Sequence, residues 1–271
     1  MTLEQKRSRL GEILRKCERA AVAFSGGVDS SLLCAIAREE LGDGALAITI
    51  VSPMLPKAEL DDARRIAAIV GIRHILIDSP SIEEVVALNN KDRCYHCKKR
   101  EFGSILEAAR GEGTEIVLDG TNTDDEGDYR PGMRAIAELG ILSPLREAGL
   151  CKEDIRELSR SLGLPTAEKP AFACLASRIP YGERIDAHNL ARVERAEDYL
   201  RALGLRQFRV RSHGDIARIE VAPEERVMFF NEAVLDSVAA AFESFGFLYS
   251  CLDLSGYRQG SLNKAIGKGR E

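Results

Sequence analysis

Phe24-Ser25-Gly26-Gly27-Val28-Asp29-Ser30-Ser31 is the stretch that decides the fold. It follows an apolar run at residues 20–24 and leads into a helical pattern at 31–41. A buried strand, a tight turn with two glycines and a helix start make a phosphate-binding arrangement. Gly26 and Gly27 let the backbone turn its N–H groups inward with no Cβ in the way. The helix start adds partial positive charge, and Ser25, Ser30 and Ser31 add hydroxyls. Asp29 would repel a phosphate unless a cation stood between them, which points to Mg2+. The plainer reading is a glycine turn capped by serine.

Two other nucleotide loops do not fit. No G-x-x-x-x-G-K-[ST] is present, so the lysine that grips terminal phosphates in P-loop NTPases is missing. No G-x-G-x-x-G stands at this turn either. S-G-G-x-D-S in this context resembles the signature of the PP-loop ATP pyrophosphatases. That resemblance implies ATP cleavage between the α and β phosphates, with Ser25, Gly26, Gly27, Val28, Asp29, Ser30 and Ser31 around the nucleotide.

Working outward, residues 3–18 read as an opening helix, 45–51 as a second strand, and 57–70 as an amphipathic helix stopped by Gly71. A third strand is expected at 73–78, a short helix at 81–88, a longer one at 96–110 and a fourth strand at 115–119. Helices at 130–139 and 152–162 flank a short strand at 141–142. This alternation predicts an α/β fold, a parallel sheet with helices on both faces. Such sheets bind ligands at the carboxyl ends of their strands. The family likeness puts Ile50 and Gly120 at that edge, around adenine and ribose. The polar loop 121–132 carries four carboxylates and reads equally as a solvated turn or a ligand-facing loop.

The irregular stretch 170–182 marks the expected boundary. It divides a domain at 1–180 from a smaller α+β domain at 181–271, with helix at 187–203, strands at 207–212 and 216–221, mostly helix at 224–245, and a strand at 248–254. The tail from Gly260 is expected to be loosely ordered.

Composition narrows the class. The 271 residues are 45% hydrophobic and 30% charged, as in a globular protein with a substantial core. Net charge is −5, which disfavours a general nucleic-acid binder. No apolar run is long enough for a membrane span and the first nine residues are polar, so a cytoplasmic location without a membrane partner is expected.

Seven cysteines without a secretion signal argue for metal binding or catalysis over a disulfide scaffold. Cys94-Tyr95-His96-Cys97 puts two thiols at a helix start, yet the second pair that zinc usually takes is not visible. Cys174 lies in the interdomain loop. Three cysteines can bind a [4Fe-4S] cluster and leave one iron open for a hydrosulfide. Cys17, Cys34, Cys151 and Cys251 read as structural. Arg209 and Arg211 share one strand face, with His213 nearby, and could hold a phosphate or simply face water. Arg178, four residues after Cys174, is a further candidate.

Residues 25–31, Arg93-Cys94-Tyr95-His96-Cys97-Lys98, 120–132, Ser143-Pro144-Leu145, 173–182 and Leu254-Ser255-Gly256-Tyr257-Arg258 together resemble the LarE family. These are ATP-dependent sulfur transferases of nickel-pincer nucleotide biosynthesis. The resemblance runs from about residue 10 to residue 262. It implies adenylation of a carboxylate of pyridinium-3,5-biscarboxylic acid mononucleotide, then displacement of AMP by sulfur. One branch of the family sacrifices a single cysteine, at Cys174 here, and the other holds a [4Fe-4S] cluster on three. Cys94 and Cys97 point to the cluster branch. The resemblance also implies a homo-oligomer and favours Arg209 and Arg211 at the mononucleotide phosphate, with Arg178 as a further candidate. A tRNA-thiolating PP-loop enzyme is the alternative, opposed by the acidic balance. A non-catalytic nucleotide-binding or metal-storage module would lack ATP–pyrophosphate exchange.

Overall fold

The structure, a computed structural model, describes residues 1–125, 131–170 and 173–258. Part of the acidic loop, residues 126–130, and the tail from 259 lie outside the described residues, as do 171 and 172. The chain divides into two compact units, Met1–Ser81 with Cys94–Phe172, and Ile82–Arg93 with the chain from Ala173 onward.

The first unit is built on a parallel sheet of β1 (Ala20–Ala23), β2 (Ala45–Val51), β3 (Arg73–Asp78) and β4 (Val117–Leu118), in the order β3-β2-β1-β4. Leu142 extends it by a parallel bridge to Leu118. Around it stand α1 (Leu3–Arg15), α2 (Val28–Leu41) and α3 (Lys57–Val70). The short α4 (Glu84–Ala87) belongs to the second unit. Then come α5 (Arg93–Gly111), α6 (Pro131–Glu138), α7 (Pro144–Glu147) and α8 (Lys152–Ser161). Strand side chains alternate between faces. Ala20, Val22, Ala45 and Ala47 therefore pack with Leu10, Leu32, Ile66, Leu145 and Ile155. Ala21, Leu46 and Ile48 pack with Phe102, Ile105 and Ile136 on the other face. Both faces are covered by helices, as the sequence pattern predicts.

The second unit carries α9 (Ala187–Ala202), β5 (Phe208–His213), β6 (Ile216–Val221), α10 (Glu232–Ser244) and β7 (Tyr249–Leu252). Its sheet runs β5-β6-β7, antiparallel between β5 and β6 and parallel between β6 and β7. Leu190, Val193, Ala196 and Leu200 of α9 are buried, as are Val210, Ile219 and Val221 of the strands and Phe242 of α10.

Some elements depart from the expected limits. Extended Gly27 caps α2 (φ −79°, ψ 167°), so the helix begins at Val28, three residues early. Helix α5 begins at Arg93, which places Cys94 and Cys97 inside its first turn and a half. The segment expected to be mostly helix at 224–245 is a 3-10 stretch, Pro223–Phe230, followed by α10, because Asn231 accepts from Ala233 N and starts a new helix. Among the described residues no helix is long and apolar enough to cross a membrane.

Candidate active site

Strand β1 has β2 on one side and β4 on the other. Connections therefore leave β1 and β4 in opposite directions, and a crevice opens at their carboxyl ends. The loop after β1 and the segment after β4 meet there. Gly26 takes φ +70°, and a Cβ on it would stand 3.1 Å from the Ala63 Cα. Only glycine gives that turn and that approach together. Ser25 is exposed, and its backbone N–H donates to Ser30 Oγ at 3.3 Å. The two serine hydroxyls are 3.2 Å apart. Val28 and Ser31 turn their side chains into the core. Val28 offers a ligand its backbone N–H, whereas the Ser31 N–H already donates to Gly27 O at 2.9 Å. The N–H groups of the first helical turn have no acceptor within the helix.

Asp29 lies in the first turn of α2, where the helix dipole favours its charge. Asn122 Nδ2 donates to Asp29 Oδ1 at 3.1 Å, and Lys152 Nζ donates to Asp29 Oδ2 at 2.5 Å. Gly120 makes this meeting possible. A Cβ there would lie 3.1 Å from Ser30 N and 3.2 Å from Asp29 Cβ. Behind it, buried Asp119 accepts from Ser143 Oγ at 2.6 Å and from the Thr121 hydroxyl. Lys169 Nζ donates to Gly26 O at 3.2 Å while pairing with Asp62 at 2.7 Å and Glu59 at 2.8 Å. Ile50 lies near the carboxyl end of β2, paired with Ile77.

Lys152 and Lys169 are absent from the expectations drawn from sequence. Lys169 had no visible signal. Lys152 had one: it opens α8, where the helix dipole disfavours a cation.

Asp29 offers a hard carboxylate at a helix start beside exposed Ser25, a donor set that suits Mg2+ arriving with a nucleotide. For a cluster the described residues give less. Cys94 and Cys97 lie one turn apart on α5. Among the described residues no three His, Cys, Asp or Glu side chains form a group that could hold a metal ion.

In the second unit Cys174 is exposed and caps the 3-10 turn Leu175–Arg178. Arg178 is 1% exposed and forms a two-pronged pair with Glu197, Nε to Oε1 at 2.8 Å and Nη2 to Oε2 at 3.0 Å. Arg211 is buried and pairs the same way with Glu220, at 3.1 and 3.0 Å. Arg209 is half-buried over the Tyr257 ring, 5.2 Å from its centroid. Burial, then the charge of Arg178, lowers its affinity for its proton. His213 is likewise held below its ordinary range by burial and by Arg218. Of the three arginines expected at a phosphate, Arg209 is thus the least buried residue, with Nη1 donating to Phe208 O at 2.6 Å, whereas Arg178 and Arg211 face buried carboxylates.

Burial pushes the Cys34 thiol far above its ordinary range and raises that of Cys17, so neither offers a thiolate.

The loop, its Asp29 cradle and an exposed cysteine are the parts an adenylating sulfur transferase requires. Residues 12–96 match a family described as asparagine synthase. A pyridinium-3,5-bisthiocarboxylic acid mononucleotide synthase of Lactiplantibacillus plantarum is 39% identical over 273 residues, covering 98% of this chain and 97% of its own. The chain belongs to the LarE family. A second full-length relative, an uncharacterised protein of Synechocystis sp., is 44% identical over 267 residues, with 98% of this chain and all of its own covered. By contrast, a tRNA-specific 2-thiouridylase of Pelobacter propionicus is 29% identical over 187 residues, 56% of this LarE-family chain and 52% of its own. Likeness to the thiouridylase is partial, and likeness to the synthase runs from end to end.

Proposed function

We propose that the protein is an ATP-dependent sulfur transferase that adenylates the carboxylates of pyridinium-3,5-biscarboxylic acid mononucleotide and converts them to thiocarboxylates. One observation carries this reading: an exposed cysteine, Cys174, accompanies a complete phosphate loop in a chain matching 97% of the length of a bisthiocarboxylate synthase.

A carboxylate resists attack by sulfur because oxide is a poor leaving group. Adenylation removes that obstacle. A substrate carboxylate oxygen attacks the α-phosphorus of ATP, the bond to the bridging oxygen breaks, and pyrophosphate leaves. The N–H groups opening α2 and the hydroxyl of Ser25 bind the departing phosphates, and Lys152 adds a cation. Asp29 would hold Mg2+, which neutralises charge on pyrophosphate. Sulfur then attacks the acyl carbon and AMP leaves with the electron pair of the acyl–oxygen bond. Arg209, backed by Tyr257, anchors the mononucleotide phosphate, and Arg211 braces the strand beside it.

Cys174 handles the sulfur. The direct route has its thiolate attack the acyl carbon. Loss of the Cys174 Cα proton and cleavage of its Cβ–S bond then release the thiocarboxylate and leave dehydroalanine. Cys94 and Cys97 are the residues that would join Cys174 in carrying a cluster.

The test is Cys174→Ala assayed for both half-reactions. Substrate-dependent ATP–pyrophosphate exchange is expected to persist and thiocarboxylate formation to vanish. Thiocarboxylate formed at the wild-type rate would overturn the reading. Mass spectrometry of the wild-type chain after turnover separates the sulfur routes. Loss of hydrogen sulfide at Cys174 marks the sacrificial route, and an intact thiol with iron and sulfide retained through Cys97 marks the cluster.

A further inference from the structure

Residues 173–183 contain one 3-10 turn and otherwise no regular element, so local backbone bonds, such as Ser177 N–H to Cys174 O at 3.0 Å, satisfy their carbonyls only in part. Long polar side chains of the second unit supply further partners. Arg178 Nη1 donates to Ala173 O at 2.6 Å, to Cys174 O at 3.1 Å and to Ser177 Oγ at 2.8 Å. Arg93 donates to Ala176 O at 3.1 Å, and Arg211 to Ser177 O at 2.7 Å. Asn89, fully buried, donates to Pro180 O at 2.7 Å and Glu183 O at 2.9 Å.

Arg178 is the member closest to the thiol along the chain. Its Nε and Nη2 edge is locked by Glu197, whose Oε1 also accepts from Val210 N at 3.0 Å. The line therefore runs from β5 through Glu197 and the Arg178 guanidinium to the carbonyl of Cys174. A planar fork meets a carboxylate on one edge and carbonyls on another, which a lysine ammonium cannot do. The cysteine is exposed while everything beneath it is fixed.

We propose that Arg178, held by Glu197, is a positioning residue that sets Cys174 for attack on the acyl carbon and is not a ligand of the mononucleotide phosphate. This rests on the reading of Cys174 as the sulfur-handling group. The guanidinium touches the cysteine's backbone and exchanges no proton or electron with it. Its effect is orientation, where an error near 1 Å can cost about 100-fold in rate.

The experiment uses the full chain. Removing Arg178 alone would strand a buried carboxylate, so the first variant is Arg178→Met with Glu197→Gln, which removes both charges and keeps an acceptor for Val210 N–H. Expected are ATP–pyrophosphate exchange and mononucleotide KM within about twofold of wild type, with single-turnover thiocarboxylate formation down about 100-fold. A raised mononucleotide KM with equal losses in both half-reactions would instead make Arg178 a phosphate ligand and overturn the proposal, as would undiminished sulfur transfer. Should that variant fail to fold, Arg178→Lys decides. It keeps the charge opposite Glu197, and sulfur transfer down about tenfold at unchanged KM supports the proposal, while wild-type transfer defeats it. Cys174→Ala, run in parallel, keeps the two failures apart: sulfur transfer surviving in that variant sinks the reading of Cys174 itself.

Discussion

Lys152 Nζ stands 2.5 Å from Asp29 Oδ2, so the acidic side chain of the phosphate loop is already met by a cation from the chain. Both side chains remain partly open to solvent, at 31% and 25%. Such a pair adds little stability, about 0–1 kcal/mol. Its value lies in the site. On the proposed mechanism a metal-bound nucleotide would take over Asp29 and leave the ammonium beside the phosphates. Lys152→Ala should therefore lower ATP–pyrophosphate exchange by about 10–100-fold with little change in melting temperature. Unaltered exchange and unaltered KM for ATP would remove Lys152 from the mechanism.

Gly120 permits the approach of the β4 loop to α2. In Gly120→Ala the new methyl would press on Ser30 N and Asp29 Cβ, backbone or near-backbone atoms with little room to yield. A cost of about 1–3 kcal/mol is expected, with weaker ATP binding because the cradle of Asp29 widens. Chemical denaturation gives the first quantity and calorimetric titration with ATP the second. A fully stable variant that binds ATP normally would count against this packing.

Acid should destabilise the first unit through His74. Thr49 Oγ1 donates its proton to Phe24 O at 2.6 Å, so the 2.8 Å contact to His74 Nε2 requires that nitrogen to donate. Burial, then the charge of Arg64, holds the imidazole below its ordinary 6.5. The folded state thus favours neutral His74 and the unfolded chain takes up the extra proton. Its contribution is present above pH 6.5 and is lost as pH falls through the lowered folded value. His74→Gln keeps a donor to Thr49 without titrating. Thermal melts of the variant should lose part of the wild-type acid slope below pH 6.5, and superimposable slopes would exclude His74 as a source.

Cysteine reactivity should follow exposure. Under native conditions iodoacetamide is expected to label Cys174 and Cys251 early, Cys17 slowly, and Cys34 only after unfolding. Peptide mass spectrometry over a time course reads the order. Early labelling of Cys34 would contradict its burial in the core shared by α1, α2 and β1.

Much of this was legible from the sequence, for reasons that particular residues make clear. Strands β1 to β3 announce themselves by apolar runs between turn signals, and their length is set by local pattern. Strand β4 is shorter than the five residues expected, because only Val117 and Leu118 pair with β1 while Ile116 beside them carries the same kind of side chain. The phosphate loop is a local motif and could be read directly. Lys152 reaches Asp29 across 123 positions, a distance no periodicity spans. Arg178 reads from its place four residues after Cys174 as a phosphate candidate, but its partner Glu197 lies nineteen residues on, beyond any local pattern. The segment Ile82–Arg93 carries no composition change, yet it belongs to the second unit because its polar groups find partners beyond residue 173.

That last segment has a consequence for the order of synthesis. Asn89 leaves the ribosome ninety residues ahead of the Ile179 carbonyl it will hold. At about 5–20 residues per second the wait is roughly 5–18 s. During that interval the chain must lay down the rest of the β-sheet unit while an asparagine destined for complete burial stays in water. The nascent chain therefore passes through a stage at which its glycine loop has been synthesised and the seat of Cys174 has not.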